Sequence, residues 1–482
     1  MQCNSRMRAF RVFRPEPLHR YRRVLEVSLP LVVSMATTMI LEVTDRIFLA
    51  HYSLDAIAAA TPGGLTAFLF IAFFMGVGGY VNVFVAQYTG AGSGGRVGSA
   101  LWQGIYFCLG AGVLLSLLSL AAEPLFDVVG HSMPVRRLEV VYYRILCIGG
   151  GLNVLEATFS CFFSGRGLTR PVMGVHLAGM LLNIPLNYAL INGAWIFPEM
   201  GIAGAGIGTV VSWGAMVFLF VGLIFTRSND RRFGVIGRRQ FEPELFRRLL
   251  RFGVPGSLQF TMDIFAFAFF VLMVGRIGPV ELAVTNIVLT INSLAFMPIM
   301  GFSIGTSTLV GQALGRGDPS AARAETRATL HVMYVYIVLT ALFYLIWPGW
   351  TLSLFSGGNI PARDLARMAE MGVVLLRFVA FYIFFDAQYM VYTGALRGAG
   401  DTRFIMWTIG ALSLSAMILP VYVGIAWLGM GVYYAWGCAT FFIVSLFTAA
   451  ILRFRRGRWE AMRVISVHEA ADHRNHRGGE PG

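Results

Sequence analysis

Five acidic residues stand where acids are costly. Glu42, Asp45, Glu156, Asp263 and Asp386 fall inside apolar stretches long enough to cross a bilayer, and Glu26 sits near the start of the first. A carboxylate at the centre of a membrane-spanning helix costs about 2.5–3.5 kcal/mol, so by default it faces protein or a water-filled cavity and serves a purpose. The chemistry open to it is narrow. It can exchange a proton, or hold Na⁺ together with neutral oxygens. Beside aromatic faces it can attract an organic cation. Asp386 is the plainest case. It lies ten residues before the end of its apolar run at Leu396. At about 1.5 Å per residue that is roughly 15 Å, near the middle of a core of about 30 Å. Phe381, Tyr382, Phe384, Phe385, Tyr389 and Tyr392 surround it in sequence, and Asp263 likewise follows Phe260 and precedes Phe265, Phe267, Phe269 and Phe270. For each ring taken alone, lipid contact or packing is the better reading. As a set, Phe260, Tyr382, Phe385 and Tyr389, with Asn153 and Glu156, are expected to line a substrate cavity.

The first span carries a different arrangement. Glu42 and Asp45 are three residues apart and share a helix face. Arg46 stands four after Glu42, the better spacing for an ion pair, so a Glu42–Arg46 pair is expected, leaving Asp45 free. Glu156 has no acidic counterpart elsewhere, and polar packing is the reading for it.

These residues need helices to hold them. Of the 482 residues 56% are hydrophobic and 13% charged, about half the charged share of an average soluble chain. Apolar segments near 24–48, 57–87, 97–122, 138–163, 171–194, 201–226, 252–275, 281–312, 328–349, 370–396, 404–426 and 429–452 predict twelve transmembrane helices and an all-α polytopic membrane protein. All 38 basic residues are arginine. Without lysine the chain holds no Walker A loop. The net charge of +13 would suggest nucleic acid in a soluble protein, but here the arginines flank apolar runs. The five cysteines show no paired spacing, so neither a disulfide framework nor a zinc site is implied.

The chain reads as two related halves. Residues 144–170 and 377–403 align at a constant shift of 233, with Arg144, Gly167, Thr169 and Arg170 matching Arg377, Gly400, Thr402 and Arg403. Asn153 stands where the second copy has Asp386. At a shift of 225, Pro30 matches Pro255, and Gln87-x-x-Gly90 matches Gln312-x-x-Gly315. Six spans per half is an even number, so both copies face the same way: two pseudo-symmetric six-helix bundles in a parallel repeat. The division is a basic arm over 1–23, bundles over 24–226 and 252–452, a basic linker over 227–251 and a tail over 453–482. With both ends inside, 30 of the 38 arginines fall in inner segments. The positive-inside rule then places both termini and the linker in the cytoplasm. Arg22-Arg23 before an apolar run could suggest a twin-arginine signal, but no cleavage site follows and an uncleaved first helix is the better reading. The linker reads first as a topology anchor, with anionic lipid as the alternative.

Several motifs resemble the MATE family, the multidrug and toxic compound extrusion transporters, over about residues 24–452. They are QYTGAG and GQALGRGD after spans 2 and 8, SGRGLTRP and LRGAGDTR after spans 4 and 10, and LLNIPLNYALING in span 5. The resemblance is to the bacterial NorM-like branch. It implies that Asp263, usually Glu in that branch, and Asp386 couple cations in the C-terminal lobe. It also implies that Asp45, followed here by Arg46 where the family often has Thr, forms an N-terminal cation site with Asn183, Asn187 and Thr209. Spacing four puts both asparagines on one face of helix 5, so they are expected to converge on Asp45. The implied activity is export of organic cations and drugs across the bacterial inner membrane in exchange for H⁺ or Na⁺, by alternating access. No cofactor, no metal beyond Na⁺ and no nucleic acid are expected, the partners are drugs and membrane lipid, and the chain is expected to be a monomer. A lipid-linked precursor flippase of the same superfamily is the alternative. An intramembrane enzyme is a further one, but its paired Asp-rich motifs, HExxH or nucleophile with base are missing.

Overall fold

The computed structural model describes residues 15–129, 131–353 and 362–466. The first fourteen residues of the expected arm and residues 467–482 of the expected tail lie outside that range. Twelve helices among the described residues are long and apolar enough to cross a membrane. They are α1 (Leu18–Tyr52), α2 (Leu54–Ala91), α3 (Gly94–Asp127), α4 (Met133–Ser164), α5 (Arg170–Asn192), α6 (Ile202–Ile224), α7 (Pro243–Gly275), α8 (Pro279–Gly315), α9 (Pro319–Ile346), α10 (Arg367–Ala399), α11 (Thr402–Ala426) and α12 (Val432–Arg455). No strand occurs among the described residues. This is the all-α, twelve-helix class expected from length and composition.

The elements end where backbone chemistry demands. Pro30, inside α1, has no N–H to give the carbonyl four residues earlier. That carbonyl belongs to Glu26, and it accepts a hydrogen bond from Thr169 Oγ1 at 3.2 Å instead. The turn after α4 places Gly167 at φ +77°, and the turn after α10 places Gly400 at φ +99°, a region that favours glycine. Leu168 N–H reaches back to Phe163 O at 3.0 Å, and Asp401 N–H to Leu396 O at 2.9 Å. Both bonds join residues 233 positions apart between copies, so the two turns share one hydrogen-bond pattern.

α7 begins at Pro243, nine residues before the span start expected at 252. The earlier start follows from an amphipathic first turn. Leu245 and Leu249, four apart, are buried while Arg247 and Arg251 are exposed, and proline is tolerated at a helix start. The short helix Arg227–Phe233 occupies the other end of the linker.

Two compact units emerge, one holding Glu26–Phe260 with Gly311–Asp318, the other Thr261–Val310 with Pro319–Met462. In the first, α2, α3, α4 and α6 enclose a core that includes Ala59, Ile71, Leu115, Tyr143, Leu146, Val154 and Ala205. Close approach there relies on small residues: a Cβ on Gly151 would meet the Cα of Gly112 at 2.8 Å. In the second, Trp436 of α12 is fully buried, donates to Thr285 Oγ1 at 3.2 Å and packs edge-on against Phe270.

Candidate functional site

In the first unit, α1, α5 and α6 bring polar side chains to one point. Asn187 Nδ2 donates to Asp45 Oδ1, and also to Asn183 Oδ1 at 3.1 Å. Thr209 Oγ1 stands 3.3 Å from Asp45 Oδ2 and donates to Ala205 O at 3.0 Å. Asn187 thus donates to one carboxylate oxygen, while the single Thr209 hydroxyl proton has both the other oxygen and the Ala205 carbonyl in reach. The asparagines are buried, and the i, i+4 spacing on α5 is what makes one amide able to bridge to the other. Gly208 of α6 is required here, because an added Cβ would overlap the Asn187 side-chain oxygen. All four residues expected at this site converge.

The expected Glu42–Arg46 ion pair does not form among the described residues, and both side chains lie exposed on α1. An i, i+4 spacing puts the two side chains on one face but does not fix their rotamers, so spacing alone does not decide it. Tyr142 of α4, buried, stands within electrostatic reach of Asp45 and Glu42. Sequence reasoning passed over it because a tyrosine in an apolar run gives no charge signal.

Glu156 has a partner that the inventory of acids missed. Its Oε1 lies 2.7 Å from His176 Nε2 on α5, and the same ring comes near the Ser34 backbone of α1. The signal was a histidine inside an apolar run, which a count of acids overlooks. Asn153, one turn earlier on α4, is half-buried.

In the second unit, Asp263 of α7 and Asp386 of α10 lie within electrostatic reach of each other. Neither carboxylate has a hydrogen-bond or ion-pair partner among the described residues. Tyr382, one turn before Asp386, is fully buried, its hydroxyl has no hydrogen-bond partner there, and its ring stacks on Trp436 at 6.4 Å. Phe385 packs against Phe381 at 5.3 Å and Phe447 at 5.5 Å. A crevice in this unit is lined by Tyr389, Thr393, Phe404, Ile409 and Leu446. Of the six residues expected to line a substrate cavity it includes Tyr389. Phe260 is half-buried on α7.

A family model described as MatE matches residues 30–189 and 255–423. A probable multidrug resistance protein NorM from Idiomarina loihiensis is 26% identical over 466 residues, covering 93% of this chain and 96% of that one. The multidrug resistance protein NorM of Burkholderia vietnamiensis is 28% identical over 401 residues, covering 80% and 84%. Among solved structures, a MOP superfamily transporter from Pyrococcus furiosus aligns with a TM-score of 0.82 at 19% identity, over 94% of this chain and 98% of that one. A MATE crystal structure in a straight conformation aligns with a TM-score of 0.81 at 18% identity, over 94% and 98%. At such identities the structural likeness speaks to the fold.

Proposed function

The chain belongs to the MatE family, and on that premise we propose that it is a secondary multidrug exporter, moving organic cations and drugs outward in exchange for H⁺ or Na⁺ by alternating access. One observation carries this reading. Asp45, Asp263 and Asp386 all sit in membrane-spanning helices, and none of the three is ion-paired with an arginine among the described residues. A carboxylate inside a membrane span without a counter-charge in the protein must find one elsewhere, and a proton, a sodium ion or a cationic drug each supplies it. The names of the NorM relatives support drugs as the cargo. Asp45 with Asn183, Asn187 and Thr209 forms one cation site, and Asp263 with Asp386 the other. Binding of the coupling cation and of drug would oppose each other by linkage. A flippase for pyrophosphate-linked lipids would call for a cationic cavity, whereas these in-span charges are acidic.

The termini and the linker are on the cytoplasmic side of a bacterial inner membrane in this reading, and the exporter works as a monomer. A cysteine at Asn229, in a variant otherwise free of cysteine, would react only with a thiol reagent that crosses the membrane. Labelling by an impermeant reagent from outside would overturn the orientation. The decisive test is efflux of a fluorescent organic cation from proteoliposomes under separately imposed Na⁺ and pH gradients. One gradient should drive efflux and the other should not; efflux indifferent to both would sink the antiport reading.

A further inference from the structure

An arginine without an ion-pair partner among the described residues lies outside the spans, where α4 ends and the linker helix packs. Arg166 sits in the turn after Ser164. Its guanidinium carbon is 4.5 Å from the centroid of Phe162 and 4.1 Å from that of Phe233, the last residue of the linker helix. Those two rings meet edge-on at 5.6 Å and 89°, forming two walls of a corner. The guanidinium Nη1 is buried there with no hydrogen-bond partner. Arg232, exposed, adds a second positive charge nearby, and burial together with Arg232 brings the Arg166 guanidinium down to about 10.

Two of the three acids in the linker and at the start of α7 are committed. Asp230 accepts the backbone N–H groups of Ile236 at 2.7 Å and Gly237 at 2.9 Å, which hold its carboxyl below the usual range. Glu242 pairs with Arg96 at 2.8 Å. Glu244 lies at the start of α7, exposed and unpaired among the described residues. Arg231, Arg232, Arg238 and Arg239 are exposed without ion-pair partners among the described residues. A planar fork of N–H donors flanked by a second arginine matches the oxygens of a phosphate.

We propose that Arg166 and Arg232 form a binding site for the phosphate of an anionic phospholipid headgroup. The position favours lipid over a soluble phosphate. The linker helix starts three residues after α6 ends at Ile224, at the level where an apolar span gives way to polar chain. Ile236 and Phe241 are 45% and 52% exposed beside Arg238 and Arg239, so the linker presents apolar and basic groups together, as an interfacial segment does. The backbone of the linker helix is pressed onto α3, where a Cβ on Gly94 would meet the Arg232 carbonyl at 2.7 Å. The corner is thus held to the transmembrane body rather than hanging in solution.

The test uses the full chain in detergent, titrated with phosphatidylglycerol or phosphatidylcholine and followed by native mass spectrometry. The wild type should bind phosphatidylglycerol saturably and in preference to phosphatidylcholine. Arg166→Gln and Arg232→Gln should each weaken that binding about 5-fold, the effect of about 1 kcal/mol per arginine at a membrane surface, while Arg403→Gln, an exposed arginine at the start of α11, should not. Arg232 is exposed, so its variant reports even if Arg166→Gln fails to fold. Equal losses in all three variants would reduce the effect to bulk charge and overturn the site. So would unchanged binding in the Arg232 variant. Inorganic phosphate at tens of millimolar should leave phosphatidylglycerol bound; full displacement would assign the corner to a soluble anion instead.

Discussion

The two carboxylate sites differ in how the protein holds the charge. Asp45 accepts from Asn187 on one oxygen and has the Thr209 hydroxyl 3.3 Å from the other, neutral groups from two other helices. Asp263 and Asp386 have no such donors among the described residues, only aromatic rings and one another's charge. Fixed donors orient a carboxylate and share its charge at all times. Two acids in an apolar, aromatic setting without donors depend on a cation from outside the fold for compensation. The first arrangement suits a site of constant geometry. The second suits a site whose occupancy changes during a cycle, so the C-terminal pair should carry the larger share of coupling.

The largest expected effect tests that ranking. Asp386→Asn should express and fold, because the repeat places Asn153 at the equivalent position. Gradient-driven efflux should nonetheless fall by about two orders of magnitude, corresponding to roughly 3 kcal/mol. Binding of a fluorescent cation, measured on the same preparation, should survive through the rings; full efflux at normal expression would remove Asp386 from the mechanism. Asp263→Asn should give a comparable loss. The double variant should be little worse than either single one, since two groups acting as one site are not additive. Additive losses would split the pair into independent sites.

Smaller effects belong to the donor-held site. Asn187→Ala removes the bonds to Asp45 and Asn183 together. At about 1 kcal/mol per bond, efflux should drop roughly 10- to 30-fold, with the Asp45→Asn variant setting the floor. Thr209→Val removes one hydroxyl that stands 3.3 Å from Asp45 Oδ2 and 3.0 Å from Ala205 O, and a loss of about 2- to 5-fold in efflux is expected. If either variant outdid Asp386→Asn, the contrast between the two sites would be reversed.

Much of this molecule is legible in the sequence. The twelve spans follow from apolar runs, whose transfer energy is additive along the chain. The repeat predicts Gly167 and Gly400 as twins, and both adopt positive φ in turns with the same bonds. The convergence of Asp45 with Asn183, Asn187 and Thr209 came from the family resemblance together with helical spacing. Spacing misled at Glu42 and Arg46, which share a helix face but whose charged groups do not meet within ion-pair distance.

Sequence alone determined which residues lie in spans, which faces they share along one helix, and where turns need glycine, because these depend on local period and backbone sterics. Only tertiary structure decided which side chains meet across helices. His176 reaches Glu156 from α5, Thr169 takes the Glu26 carbonyl that Pro30 leaves unpaired, and Phe233 closes a corner around Arg166. Each of those contacts depends on the rotation and crossing of two helices, which is set by packing at many other positions and is therefore not written at the residues that meet.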